Sequence, residues 1–185
     1  MKNRIFFAII LVLATSLVNG QDKYFTKSGK ISFFSATPLE DIAAVNSSAV
    51  IVLDTKANSL QFSVLIKGFE FENEEMQAHF NADYLESDKY PKAEFKGHLV
   101  NTPAIDFKKS GTYPVQVKGS LTMHGVTKEV QSAGTIKVDG SSLKASSTFN
   151  IQVADFDIVI PKLVRDKVAK TVKIAVDTSL EPLKG

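Results

Sequence analysis

Cysteine and tryptophan are both absent from this chain of 185 residues. Without cysteine the protein has no disulfide, no catalytic thiol, no haem attached through thioethers and no lipid-modified N-terminal cysteine. The remaining composition is that of an ordinary globular domain, with 44% hydrophobic and 23% charged residues. Stability must therefore come from a hydrophobic core, and a domain of about 165 residues is large enough to build one.

An excess of charge of one sign is also missing. The chain has 22 Lys and Arg residues against 20 Asp and Glu residues, and Lys2 and Arg4 account for the difference of two. After these two residues, Arg165 is the sole arginine in the sequence. Binding to the phosphate backbone of a nucleic acid requires clustered positive charge, so a nucleic acid is excluded as a partner.

A continuous hydrophobic run occurs near the start of the sequence. Lys2 and Arg4 precede an apolar run from Ile5 to Leu13, and the small residue Gly20 stands before Gln21. This is the pattern of a secretory signal peptide, and the run is shorter than the ~18 residues of a membrane anchor. We predict a signal peptide over residues 1–20, a single domain over residues 21–185, and a periplasmic or secreted mature protein.

Alternation of apolar and polar residues dominates the predicted domain and indicates half-buried antiparallel strands. The predicted strands cover residues 29–35, 48–53, 60–66, 93–99, 113–123, 127–138, 143–151 and 172–176. Asp139-Gly140 is the strongest hairpin turn. About eight such strands predict an all-β fold, either an antiparallel sandwich or a closed barrel. Residues 37–47 are too irregular to assign.

Residues 72–85 are the exception and predict a short helix. Asn73 can cap its N-terminus, where Glu74 and Glu75 favour the positive end of the helix dipole. Met76, Phe80 and Tyr84 recur at every fourth position and form one apolar stripe. We expect this stripe to cover a sheet face or the mouth of a barrel.

Small residues interrupt the predicted inward faces of the strands. They are Gly97, Gly119, Gly134, Ala145 and Ser147. In a barrel of about eight strands the interior is either filled by side chains or holds one small ligand. The small residues fit an elongated apolar cavity, or they fit strong twist and bulges at barrel corners. Both interpretations stay open at this point.

Candidate catalytic and metal-binding residues are weak. The histidines are His79, His98 and His124, and their spacing contains no paired metal ligands. The sequence has no Gly-x-Ser-x-Gly nucleophile motif. We therefore expect no metal site and no catalytic residues. A basic cluster near the C-terminus is interpreted as a solvated surface, with transient contact to anionic membrane headgroups as the alternative. This cluster consists of Lys162, Arg165, Lys167, Lys170 and Lys173.

Two stretches, HFNADYLESDKYPKAEFKG (79–97) and KGSLTMHGVTKEV (118–130), are more specific. The first carries Leu85, Ser87, Tyr90, Pro91, Phe95 and Gly97. The second carries Gly119, Leu121, Thr122, His124, Gly125, Val126, Thr127 and Lys128. With this order and spacing, the chain resembles the YceI-like family over most of residues 29–177. It departs from the family in the segment before the C-terminal strand, which lacks an aromatic-glycine element, and in the low glycine content of residues 37–47.

The resemblance implies an exported, lipocalin-like antiparallel β-barrel of about eight strands with a short helical lid and an elongated apolar pore. The implied function is noncatalytic binding of a polyisoprenoid or acyl lipid, with no other cofactor. An enzyme of unknown reaction and a filled barrel that serves as an interaction module are the alternatives. The ligand-binding residues predicted on this basis are Phe62, Val64, Phe80, Tyr84, Tyr90, Phe95, Leu99, Leu121, Met123, His124, Phe149 and Val176.

Overall fold

A computed structural model describes residues 22–100 and 105–183. The predicted signal peptide, residues 1–20, lies outside the described residues. No helix in the described ranges is long and apolar enough to cross a membrane.

Nine strands and one α-helix form in the described ranges. The strands are β1 (Lys23–Ala36), β2 (Asp41–Asp54), β3 (Ser59–Leu65), β4 (Glu70–Phe71), β5 (Lys92–Leu99), β6 (Gly111–Met123), β7 (Val126–Asp139), β8 (Ser142–Gln152) and β9 (Thr171–Pro182). Helix α1 (Glu74–His79) continues into a π-helical turn, Phe80–Tyr84. Short 3-10 turns occupy Ile66–Gly68, Val153–Phe156 and Lys162–Val164.

Eight of these strands close into an antiparallel barrel. Their order is β1-β9-β8-β7-β6-β5-β3-β2, and β1 pairs with β2 to complete the ring, while the short β4 attaches to β2. The predicted all-β, antiparallel barrel of about eight strands is therefore confirmed. We call the end that carries α1 the helix end, and the end with the 55–58 and 140–141 turns the hairpin end.

A bulge explains why residues 37–47 resist assignment from the sequence. In β2 the buried residues are Ala44 and Asn46 before the irregularity, and Ala49, Ile51 and Leu53 after it. A bulge adds one residue to one strand, so the inward phase changes from even to odd positions. Residues 41–47 are thus the first half of β2, and a pattern of period two cannot find them.

Asn46 holds this bulged region together from inside the barrel. The residue is fully buried, its Nδ2 donates to the Leu65 carbonyl oxygen at 3.0 Å, and its Oδ1 accepts from the Ser48 main-chain N–H at 2.8 Å. A buried amide costs stability unless it is hydrogen-bonded, and here both ends of the amide are bonded. Asn46 therefore fixes the β2 bulge against the end of β3.

The short helix begins as the sequence predicts. Asn73 Oδ1 accepts hydrogen bonds from the main-chain N–H groups of Glu75 and Met76, at 2.8 and 3.2 Å. This is the expected N-cap geometry. The helix lies between β4 and β5 in the chain.

Candidate functional site

An apolar cavity of about 90 Å³ lies inside the barrel. Side chains of several facing strands form its wall. The lining residues are Ile51, Leu53, Leu60, Phe62, Phe95, Leu99, Val115, Val117, Val130, Ser132, Thr135, Ile136, Ala145, Ser146, Ser147, Phe149, Val176, Thr178 and Leu180. Because none of these is titratable, the cavity wall offers burial and hydroxyl groups rather than acid-base chemistry.

The cavity occupies the hairpin half of the barrel interior. Leu53, Leu60 and Leu99 lie in its wall near the hairpin end. In the other half, Val64, Ala93 and Leu121 are buried, and none of these three lines the cavity. The barrel is thus filled towards the helix end and open inside towards the hairpin end.

The structure brings five of the twelve predicted ligand-binding residues to the cavity. These are Phe62, Phe95, Leu99, Phe149 and Val176. The rings of Phe62 and Phe95 stack with centroids 5.3 Å apart. Val64 and Leu121 are buried in the filled half, and Met123 is half-buried beside the core. Phe80, Tyr84, Tyr90 and His124 lie at the helix end, away from the cavity wall.

Other lining residues lie on the predicted strands but are absent from the predicted ligand-binding set. Val115 and Val117 line the cavity from β6, and Ile136 lines it from β7. The same inward phase that placed Leu121 and Gly119 on the inner face extends to Val115 and Val117. The predicted strands 113–123 and 127–138 already contain these residues, so counting every inward position of each strand is the signal that finds them.

The small residues do not act as one group. Ala145 and Ser147 line the cavity, as the cavity interpretation requires. Gly97 and Gly119 do not leave space, because a Cβ atom at Gly97 would lie 2.4 Å from the Phe95 ring, and one at Gly119 would lie 2.4 Å from the Lys96 carbonyl oxygen. The expectation that these two glycines enlarge the cavity is therefore wrong. They allow close strand approach under the Phe95 ring.

Hydroxyl groups supply the polar part of the cavity wall. Ser132 Oγ and Ser147 Oγ are 2.6 Å apart, and Ser147 Oγ donates to the Ala133 carbonyl oxygen at 2.8 Å. Thr178 Oγ1 is buried and has no hydrogen-bond partner among the described residues. An unpaired buried hydroxyl lowers stability, so Thr178 is a weak point of the packing.

Four phenylalanine rings pack together at the helix end. Phe80 stacks on Phe33 with centroids 5.3 Å apart, and it also contacts Phe69 at 5.8 Å and Phe71 at 5.0 Å. Phe80 therefore covers this end of the barrel through aromatic contacts and does not reach the cavity wall. On the same helical segment, burial raises the pKa of the Tyr84 hydroxyl, and the negative charge of Asp83 raises it further.

His124 connects three segments at the helix end. Its Nδ1 bonds the Phe156 carbonyl oxygen at 2.9 Å, its Nε2 lies 3.2 Å from Glu86 Oε2, and its ring meets Tyr90 edge-on with centroids 4.9 Å apart. The side chain is 12% exposed. The Tyr90 ring packs so closely on Gly125 that a Cβ atom at position 125 would lie 2.6 Å from the ring. Tyr90 and His124 thus make structural contacts here.

The other two histidines lie apart from this cluster. His79 Nδ1 is 2.6 Å from Asp83 Oδ2 on the surface of the helical segment, and His98 is exposed on β5. Within the described ranges, no three His, Asp or Glu side chains lie together in a way that could hold a metal ion. The five basic residues near the C-terminus are exposed, and Lys167 pairs with Glu40 at 3.6 Å.

Comparison with known families gives a match over nearly the whole chain. The family model described as YceI-like domain matches residues 15–180. A UPF0312 protein of Pseudomonas putida strain F1 is 30% identical over 158 residues, which cover 80% of this chain and 68% of the relative. A UPF0312 protein of strain GB-1 is 35% identical over 89 residues, and these cover 44% of this chain and 42% of that relative.

Solved structures share the barrel fold at low sequence identity. A polyisoprenoid binding domain from Saccharophagus degradans, implicated in plant cell wall breakdown, superposes with a TM-score of 0.76 at 13% identity, covering 88% of this chain and 99% of that chain. BcnA from Burkholderia cenocepacia gives 0.67 at 18% identity, with 82% and 95% covered. A YCEI protein of Campylobacter jejuni gives 0.58 at 19% identity, with 74% and 81% covered.

Proposed function

Since the chain belongs to the YceI-like family, we propose that it binds a polyisoprenoid or a similar long-chain amphiphilic lipid in its barrel cavity. The observation that carries this proposal is the apolar cavity itself, which is lined mainly by inward-facing apolar side chains of the strands. Burying apolar ligand surface is favourable by about 25 cal/mol per Å², so a lipid chain needs no charged contact to bind there. A domain of similar fold is described as polyisoprenoid binding.

The size of the cavity sets a condition on binding. An apolar cavity of about 150 Å³ holds one benzene molecule, and the cavity here is about 90 Å³. A long chain therefore enters only when side chains or strands of the barrel move. This small volume also favours the second candidate function, a filled barrel that serves as an interaction module.

In this proposal the protein is an exported, noncatalytic lipid carrier in the periplasm or outside the cell. It acts without a cofactor, and its only contact with a membrane is transient, during loading or release. Leu99, Phe149 and Val176 in the cavity wall would contact the chain of the lipid. In this proposal the helix-end residues Tyr90 and His124 stabilise the barrel and do not touch the ligand.

Native mass spectrometry of the purified full chain tests the proposal. We expect a protein–lipid complex, and we expect an organic extract of the same sample to contain a long-chain lipid in about equimolar amount. Ligand-free protein is then titrated with geranylgeraniol by calorimetry. A protein that carries no lipid and binds no geranylgeraniol would overturn the proposal and favour the interaction module.

A further inference from the structure

The barrel wall has a gap between β7 and β8. The two strands pair where Gly134–Asp139 meets Ser142–Ser147, and the pairing ends there. On their other sides, β7 pairs with β6 down to Val126 and β8 pairs with β9 up to Gln152. Residues 126–133 and 148–152 are therefore facing strand edges that share no ladder hydrogen bonds. At about 3.4 Å per residue the gap is roughly 20 Å long.

Defined contacts close the gap at both of its ends. At the end nearer the hairpins, the Ser132–Ser147 hydroxyl pair and the bond from Ser147 Oγ to the Ala133 carbonyl oxygen join the strands. At the helix end, the Val153–Phe156 turn contacts both β7 and β8, and His124 bonds its Phe156 carbonyl oxygen. The gap is therefore a framed opening in the wall, which we call the β7–β8 window.

A groove of about 350 Å³ lies in the β7–β8 window and adjoins the cavity. Val130 and Phe149 line both spaces. Both side chains are half-buried, so they form the partition between the groove and the barrel interior. Movement of the Phe149 ring is the smallest change that would connect the two spaces.

The helix end offers no comparable route. Four phenylalanine rings pack there against one another, and residues such as Val64 and Leu121 fill the barrel between those rings and the cavity. A chain entering from that end would have to displace several buried side chains. At the β7–β8 window, the side chains that separate groove from cavity, Val130 and Phe149, are half-buried.

The groove is polar and carries no excess of positive charge. Its charged lining groups are Lys128, Glu129 and Asp155, and its amide groups include Asn150 and Gln152. Lys128 lies opposite the buried Leu121 in the strand register, which places it on the inner side of β7, yet it is exposed at the gap. One lysine with two carboxylates does not compensate a diphosphate, whereas the amides suit a headgroup that forms hydrogen bonds without charge.

We propose that the lipid enters the barrel sideways through the β7–β8 window, and that its uncharged polar headgroup, an alcohol or an amide, stays in the groove while the chain occupies the cavity. This inference rests on the proposed function, since it assigns an entrance and a headgroup site to that same cavity. It requires β7 and β8 to separate further at the Ser132–Ser147 contact, because the cavity is too small for a chain as it stands.

A disulfide across the window tests the entrance. The chain has no cysteine, so Ser132→Cys/Ser147→Cys places a single pair where the two Oγ atoms are 2.6 Å apart. The matched control is Thr122→Cys/Thr127→Cys, whose hydroxyl oxygens are 2.8 Å apart between β6 and β7. Stopped-flow uptake of geranylgeraniol is measured for each variant, oxidised and reduced, with disulfide formation verified by mass.

We expect the oxidised window variant to take up geranylgeraniol at least about tenfold more slowly than its reduced form, since binding that needs a conformational change is slowed when that change is blocked. The oxidised control should match its reduced form. If the oxidised and reduced window variants still bind geranylgeraniol and take it up at equal rates, the proposal that the lipid enters through the β7–β8 window is overturned. Absence of binding in the wild-type protein instead overturns the proposed function.

Two further measurements do not depend on the disulfide. Phe149→Ala should accelerate both uptake and release, whereas Leu39→Ala, at an exposed residue outside both the cavity and the groove, should leave both rates unchanged. Geranylgeraniol should bind about tenfold more tightly than geranylgeranyl diphosphate, a difference of about 1.4 kcal/mol. Tighter binding of geranylgeranyl diphosphate would overturn the preference of the groove for an uncharged headgroup. Unchanged uptake and release rates in Phe149→Ala would overturn the role of this ring as the partition between groove and cavity.

Discussion

His124 and Phe156 lie 32 residues apart in the chain and are joined by a hydrogen bond of 2.9 Å from the imidazole Nδ1 to a main-chain carbonyl oxygen. The bond ties the β6–β7 turn to the segment between β8 and β9. His124 has a φ of 52°, in the left-handed region, as does Glu86 at 42°. A left-handed backbone at such residues persists where surrounding contacts hold it in place.

Truncation of this histidine should therefore destabilise the fold. His124→Ala removes the bond to the Phe156 carbonyl oxygen and leaves alanine at a positive φ, so we expect the free energy of unfolding to fall by about 2–3 kcal/mol. Urea denaturation measures the change. The control is His98→Ala, at an exposed strand position. A fall no larger than that of the control would show that the His124 contacts contribute nothing.

Replacement of the unpaired hydroxyl in the cavity wall should have the opposite effect. Thr178 is 5% exposed and its Oγ1 has no partner among the described residues. Thr178→Val keeps the shape of the side chain and removes the unpaired group, so we expect a gain of about 1 kcal/mol in unfolding free energy. Thr112→Val, at an exposed position on β6, is the control. A loss of stability in Thr178→Val would contradict the conclusion that the Thr178 hydroxyl has no hydrogen-bond partner.

Filling the cavity should abolish binding without unfolding the barrel. Ala145 lines the cavity, and Thr178 stands opposite it on β9. We expect Ala145→Phe to lower geranylgeraniol affinity by about a hundredfold, or about 2.7 kcal/mol, while circular dichroism remains that of a β-rich protein. The control, Ser179→Phe, adds the same ring at an exposed position. Full binding by Ala145→Phe would locate the ligand elsewhere.

Phe80 should contribute mainly to stability. Its ring packs on Phe33, Phe69 and Phe71 rather than on the cavity wall. Phe80→Ala should lower the free energy of unfolding by about 3 kcal/mol, in the range for truncation of a packed aromatic ring. Affinity for geranylgeraniol should stay close to that of the wild type. Leu163→Ala, at a residue that is 96% exposed, controls for loss of an apolar side chain. A loss of affinity larger than the loss of stability would assign the helix a role as a lid.

The ionisation of His79 should depend on its neighbour. A hydrogen bond to Asp83 raises the pKa of His79 and outweighs the desolvation of the imidazole, which acts in the opposite direction, and the charges of Asp83 and Glu75 raise the pKa further. A raised pKa stabilises the folded protein fully below the ordinary histidine pKa, and this contribution is lost as the pH rises through the raised value. NMR titration should show the raised pKa, and Asp83→Asn should lower it. An unshifted titration in Asp83→Asn would mean that Asp83 is not the cause.

Local sequence patterns were sufficient for the fold class. Side chains alternate across a strand whatever the strand pairs with, so alternation in segments such as 113–123 and 143–151 predicts strands that the structure contains. The Asn73 cap and the Asp139-Gly140 turn are equally local. Residues 41–47 could not be found this way, because a bulge set by the pairing of β1 with β2 changes the phase.

Outside the bulged first half of β2, the sequence by itself determined which residues face inward, because strand phase follows from neighbours in the chain. Only the tertiary structure decided which of them border empty space. The Phe95 ring covers Gly97 and Gly119, whereas Ala145 and Ser147 line the cavity, and the β7–β8 pairing stops at Gly134 and Ser147. Cavity and window both depend on how strands distant in sequence pack and pair, and no local pattern carries that information.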